Sequence, residues 1–137
     1  LAGRTRIPIA GFESETTADT FARLMDAGAI QIAQPDVVQV GGLTEFRKIA
    51  AYAGLRHLHV TGKNYSTAVG QAATMAMLYA VPHGDYFEDE HDPLPWRSEI
   101  VSQPYLTLED GLAAPTNQPG LGLAIEEAKL AAWKVAP

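Results

Sequence analysis

Four chargeable side chains of this sequence stand at the ends of short apolar runs. Glu13 follows Ile7-Pro8-Ile9-Ala10-Gly11-Phe12, and Asp36 follows Ile30 to Pro35. Lys63 follows Leu58-His59-Val60-Thr61-Gly62, and Glu88 closes Asp85-Tyr86-Phe87. Groups of these types donate and accept protons when they are held in place. The carboxyl ends of strands are where an α/β barrel gathers its catalytic groups. A series of such charges facing one mouth makes an enzyme the leading reading. Each residue also has a plainer one. Glu13 could be a solvated loop carboxylate, Asp36 could cap the turn that follows it, Lys63 could be a surface lysine, and Glu88 could belong to the acidic stretch beside it.

The elements that would position these groups alternate. Strands are expected at Ile7–Ala10, Ile30–Gln34, Leu58–Thr61 and Asp85–Glu88. Between them lie three helical patterns. The first buries Phe21, Leu24 and Met25 and stops at Gly28; the second starts near Thr44 as its cap and buries Phe46, Ile49, Ala50 and Ala53. The third runs from about Thr67 to Ala80, is rich in alanine, and carries Met75, Met77 and Leu78 as core residues. Strand and helix joined by short links argue for a parallel sheet covered by helices, and near-continuous apolar strands for burial on both faces. Beyond Glu88 the pattern changes. Glu88 to Trp96 is acidic and proline-rich, Tyr105–Leu108 and Leu112–Ala114 flank the hairpin signal Glu109-Asp110-Gly111, and Glu126 to Trp133 reads as a closing helix. The expected division is residues 1–100 as barrel and 101–137 as a return segment.

Composition narrows the classes. The 137 residues are 47% hydrophobic and 19% charged, ordinary values for a globular protein, with a formal charge of −6 that speaks against a nucleic-acid partner. The chain has no cysteine, which rules out disulfides and thiolate chemistry. No signal peptide or membrane-length apolar run is visible, and a cytoplasmic protein without a membrane partner is the expectation. The start at Leu1-Ala2-Gly3 reads like the tail of a helix, so the chain is expected to be a piece of something longer. Four βα units make half of an eight-stranded barrel, which typically needs about 250 residues. Half a barrel has two open edges, so it is expected to pair with an amino-terminal half or with a second copy; a homo-oligomer is expected. His57 and His59 could form a metal pair but lack a third ligand, and His83 and His91 read as solvated loop residues.

Several of these pieces together resemble the carboxyl-terminal half of the enolase superfamily, in its mandelate racemase-like branch, which includes acid-sugar dehydratases. Gln34-Pro35-Asp36 with Gly41-Gly42-Leu43-Thr44-Glu45 is similar to the sixth barrel strand and its helix, where the aspartate partners a catalytic histidine. Ile7 to Glu13 resembles the fifth strand, whose glutamate is a magnesium ligand. Asp85 to Glu88 resembles the eighth strand, and Pro119-Gly120-Leu121-Gly122 the closing turn. The resemblance implies Mg2+ as cofactor and a small-molecule carboxylate as substrate. It implies Glu13 as metal ligand, with Glu15 as the fallback, and Asp36, Lys63 and Glu88 as catalytic. Tyr65 and Trp96 are plausible walls of a substrate pocket.

One position departs from that pattern. Without a gap in the match, Lys63 falls where the branch has a histidine base. A lysine beside a carboxylate is pushed toward its charged form and becomes a poorer base, whereas burial near a cation pushes the other way. The expectation is that Lys63 works as an ammonium, either as general acid toward a leaving hydroxyl or as a holder of a substrate carboxylate. The activity implied is magnesium-dependent removal of the proton α to a carboxylate with loss of a β-hydroxyl as water. The alternatives are a racemase or epimerase of a hydroxy acid and a non-catalytic half-barrel. The chain by itself is expected to be inactive.

Overall fold

The computed structural model describes residues 1–90, 97, 99–102 and 104–135. A four-stranded parallel sheet in the order β1-β2-β3-β4 forms its centre, from β1 (Ala10–Gly11), β2 (Ile32–Ala33), β3 (His59–Gly62) and β4 (Gly84–Phe87). Each strand begins later or ends earlier than its apolar run. Pro8 has no N–H to give a ladder, and the Ile9 N–H is taken by the Gln31 side chain at 3.0 Å. Regular pairing therefore begins only at Ala10, opposite Ile32.

Three helices link the strands. Helix α1 (Ala18–Asp26) starts at Thr17, whose hydroxyl accepts the Thr20 N–H at 3.2 Å, and buries Phe21 and Met25. Helix α2 (Leu43–Leu55) buries Phe46, Ile49, Ala50 and Ala53 as their spacing requires. Its cap is Gly42 and not Thr44; Gly42 sits at φ 103°, a conformation a threonine resists, and Thr44 lies inside the first turn. Helix α3 (Ala68–Ala80) is buried nearly all round, Met75, Met77 and Leu78 included. It packs on β3, β4 and α2, with the later hairpin against it. Phe21, Ile30, Phe46, Ile49, Val60, Met77 and Leu78 belong to one core between helices and sheet. Burial on both faces holds for most of β3 only. β1 and β4, the two open edges of the sheet, are half exposed, with Tyr86 71% exposed.

Two glycines let α3 and the sheet approach. A Cβ on Gly62 would lie 2.2 Å from Thr74 Cγ2, and one on Gly84 would lie 2.7 Å from the Leu78 carbonyl oxygen. The hairpin β5 (Leu106–Glu109) and β6 (Leu112–Pro115) turns through Asp110 and Gly111, both at positive φ, and Tyr79 donates its hydroxyl to the Ala113 carbonyl. The closing helix α4 (Glu127–Ala131) is shorter than its sequence signal and buries nothing. Trp96 and His91 lie outside the described residues. Among the described residues no helix is long and apolar enough to cross a membrane.

Gly84→Ala drives a methyl into backbone, which cannot swing away. It is expected to destabilise by about 1–3 kcal/mol, read as a lower urea midpoint at unchanged m-value.

Candidate active site at the strand ends

Register decides which side chains meet. β2 pairs β3 with Ala33 opposite Val60, and the same register continues past both strands to a bridge between Asp36 and Lys63. The Lys63 N–H donates to the Pro35 carbonyl at 3.1 Å. Between β3 and β4 the register shifts, because Val60 faces Gly84 but Thr61 faces Tyr86. Asp85 is the extra residue of this bulge. Gly62 then faces Phe87, and one step further sets Glu88 beside Lys63. Without the bulge, Phe87 would stand there.

Three of the four strand-end charges come together. Lys63 Nζ lies 3.1 Å from Glu13 Oε2 and 3.7 Å from Glu88 Oε2. The hydrogen bond to Glu13 is the largest influence on Lys63; burial pulls the other way, but with the charges of Glu13 and Glu88 added the ammonium is held above the ordinary lysine pKa. The ammonium also stands 5.7 Å from the centre of the Tyr65 ring, within cation–π range. Gln34 donates its side-chain N–H to the other oxygen of Glu88. The sequence reading gave Gln34 no role, although it opens the Gln-Pro-Asp motif.

Asp36 stands level with Lys63, but its carboxylate is used differently. It is 4% exposed, and Oδ1 accepts the N–H of Val38 at 2.8 Å and of Gln39 at 3.4 Å. It thereby builds the turn leading to Gly41 and Gly42, the capping role its residue type allows. The push toward a charged Lys63 comes from Glu13 and Glu88 rather than from Asp36.

The histidines lie apart from this rim. His57 is in the turn before β3 at φ 55°, His59 pairs with Asp85 at the opposite strand end, and the His83 ring meets the Ala50 carbonyl at 2.9 Å. His83 is thus partly packed, not simply solvated. Behind the rim lies a polar group that the sequence reading missed. Gln71, 2% exposed, donates to Asp89 at 2.8 Å and accepts from the Tyr105 hydroxyl, whose pKa burial raises. Arg97 donates to the Ser66 carbonyl at 2.8 Å and to Glu90 at 2.5 Å. A lone amide in the apolar run of α3 was the one available signal.

The chain matches the family model described as enolase C-terminal domain-like over residues 1–129. It belongs to the enolase superfamily, in its mandelate racemase-like branch. Among relatives, it is 30% identical over 122 residues to the D-xylonate dehydratase of Haloferax volcanii, covering 89% of this chain and 29% of that protein. It is 29% identical over 140 residues to the D-galactonate dehydratase of Cronobacter sakazakii, covering 96% of this chain and 36% of that protein. The mandelate racemase/muconate lactonizing enzyme structure from Jannaschia sp. CCS1 superposes with a TM-score of 0.87 at 27% identity, over 99% of this chain and 34% of that one. The chain thus spans about a third of the length of these relatives. Strands β1 to β4 are the carboxyl-terminal part of the superfamily's α/β barrel.

Members of the enolase superfamily typically use Mg2+. Glu13 offers a hard oxygen at the right strand end, but the Lys63 ammonium shares that carboxylate. Among the described residues no group of three or more His, Cys, Asp or Glu is arranged to hold a metal ion. The donors present fit one ligand position of a magnesium site and not a complete one.

Asp36→Ala, which removes the turn acceptor, is expected to cost about 1 kcal/mol, whereas Asp36→Asn keeps an oxygen there and should unfold near the parent midpoint. Equal losses in both, in urea unfolding, would mean that the charge and not the turn is what Asp36 supplies.

Proposed function

We propose that this chain carries the acid side of an active site that removes the proton α to the carboxylate of a sugar acid and expels a β-hydroxyl as water. The observation that carries this reading is the Lys63 ammonium held between Glu13 and Glu88. An amine kept charged by two carboxylates is protonated at neutral pH and so cannot serve as base; its raised pKa makes it a weaker acid, yet still one able to protonate the strongly basic oxygen of a hydroxyl leaving as hydroxide. Lys63 is positioned to give a proton to the departing hydroxyl. Glu88, oriented by Gln34 and Lys63, keeps lone pairs for substrate hydroxyls. Tyr65 forms a wall beside the ammonium. Proton abstraction then falls to a residue outside this chain.

Mg2+, with Glu13 as one of its ligands, would supply Lewis-acid stabilisation of the negative charge that builds on the substrate carboxylate. A sugar acid as substrate is supported by the two dehydratase relatives, and a racemase-type outcome by the mandelate racemase-like neighbour. With one metal ligand, the 137-residue chain alone is expected to be inactive, and the reaction to need the remaining half of a barrel.

In the complete protein, Lys63→Met is expected to lower kcat on an acid sugar such as D-xylonate or D-galactonate by about 10²–10⁴-fold, the usual worth of a positioned general acid. Turnover near the parent level would refute the assignment. Exchange of the substrate α-hydrogen with solvent deuterium, without loss of water, would instead select the racemase reading. Inertness of the parent toward all of these would leave the non-catalytic half-barrel.

A further inference from the structure

The groups behind the rim are buried more deeply than the site itself. Arg97 is 7% exposed, the side chain of its partner Glu90 is 10% exposed, and among the described residues buried Arg97 Nη1 has no hydrogen-bond partner. A buried ion pair with an unsatisfied donor is a poor source of stability, because desolvating the charges costs about as much as their attraction returns. What such a pair does supply is a fixed geometry.

That geometry joins two particular segments. Ser66, whose carbonyl receives Arg97 Nε at 2.8 Å, lies three residues beyond Lys63. Glu90, which receives Nη2 at 2.5 Å, lies two residues beyond Glu88. At about 3.3–3.6 Å per extended residue, both arms are short. One planar guanidinium therefore ties the exit of β3 to the exit of β4. Gln71, early in α3, makes a second tie, holding Asp89 while the Tyr105 hydroxyl holds Gln71.

We propose that Arg97 is a positioning residue: by spanning the Ser66 carbonyl and the Glu90 carboxylate it sets the separation of Lys63 and Glu88, with Gln71 doing the same through Asp89. Among the described residues Arg97 is bonded to Ser66 and Glu90 and to neither rim side chain, so it acts through the two strand exits. Its bearing on the reaction rests on the function proposed above, but its geometry does not.

The test uses a water-soluble carbodiimide, which joins an amine and a carboxylate in contact as an amide with loss of water and inserts no spacer. In the full chain, peptide mass spectrometry reads the Lys63–Glu88 and Lys63–Glu13 products, the second serving as an internal reference. Arg97→Gln is expected to lower the ratio of the first to the second about tenfold, since a displacement of about 1 Å already costs a proximity-driven reaction that much or more. Gln71→Leu should lower it in the same direction. A general loss of stability would reduce both products together and leave the ratio unmoved. An unchanged ratio in folded Arg97→Gln overturns the inference. Should that variant not fold, Arg97→Lys carries the same test, because a single ammonium can meet Glu90 but cannot fork to the Ser66 carbonyl as well. The ratio is read without substrate, so a shifted ratio in a protein inert toward sugar acids would uphold the tie and sink only the proposed chemistry.

Discussion

One ammonium between two carboxylates organises the rim of this sheet. Without Lys63, Glu13 and Glu88 would face each other across the strand ends as like charges, each disfavouring the ionised form of the other. With it, both are neutralised at distances of 3.1 and 3.7 Å, and Glu88 has its second oxygen held by Gln34. The pair is only partly buried, so it adds little to global stability. Its effect is local: it fixes which groups carry charge at the carboxyl ends of these strands.

That contact depends in turn on backbone register. Parallel pairing of β2 with β3 brings Asp36 level with Lys63, and the bulge at Asp85 brings Glu88 level with both. A bulge adds one residue to one strand and thereby re-aims everything beyond it. The close approach of α3 through Gly62 and Gly84 holds β3 and β4 against the same helix. Removing Asp85 would thus be felt at Glu88, three residues on, before it was felt in the core.

Much of this was legible in the sequence, for identifiable reasons. Helix burial followed from spacing: Phe21 with Met25, and Phe46 with Ile49, Ala50 and Ala53, pack as a 3.6-residue period demands. The strand-end positions of Glu13, Lys63 and Glu88 followed from where apolar runs stop. Partner choice did not. Asp36 and Glu13 are the same kind of group one register step apart, and only the turn through Val38 and Gln39 shows that Asp36 is engaged by backbone N–H groups while Glu13 meets the Lys63 ammonium. The first two strands were overread because apolar content marks burial, whereas the first ladder also needs an N–H that Pro8 lacks; the third and fourth have the expected four residues, displaced by one. The Arg97–Glu90 tie spans seven residues across an acidic, proline-rich stretch, and the Gln71–Asp89 tie starts from an amide hidden in an apolar helix, so no local pattern announces either pair.

With Lys63 held between Glu13 and Glu88, charge state is the deciding property of this cluster. It can be read directly from the side-chain 15Nζ resonance of Lys63, assigned by its loss in Lys63→Met and followed against pH. The Glu13 hydrogen bond and the two carboxylate charges raise the folded-state pKa. The pairing is therefore fully present below the unfolded lysine value of about 10.4 and fades only as pH rises through the higher folded one. A titration midpoint above that value, falling in Glu13→Gln, is expected. A midpoint at or below it would contradict a held ammonium and return Lys63 to the role of base.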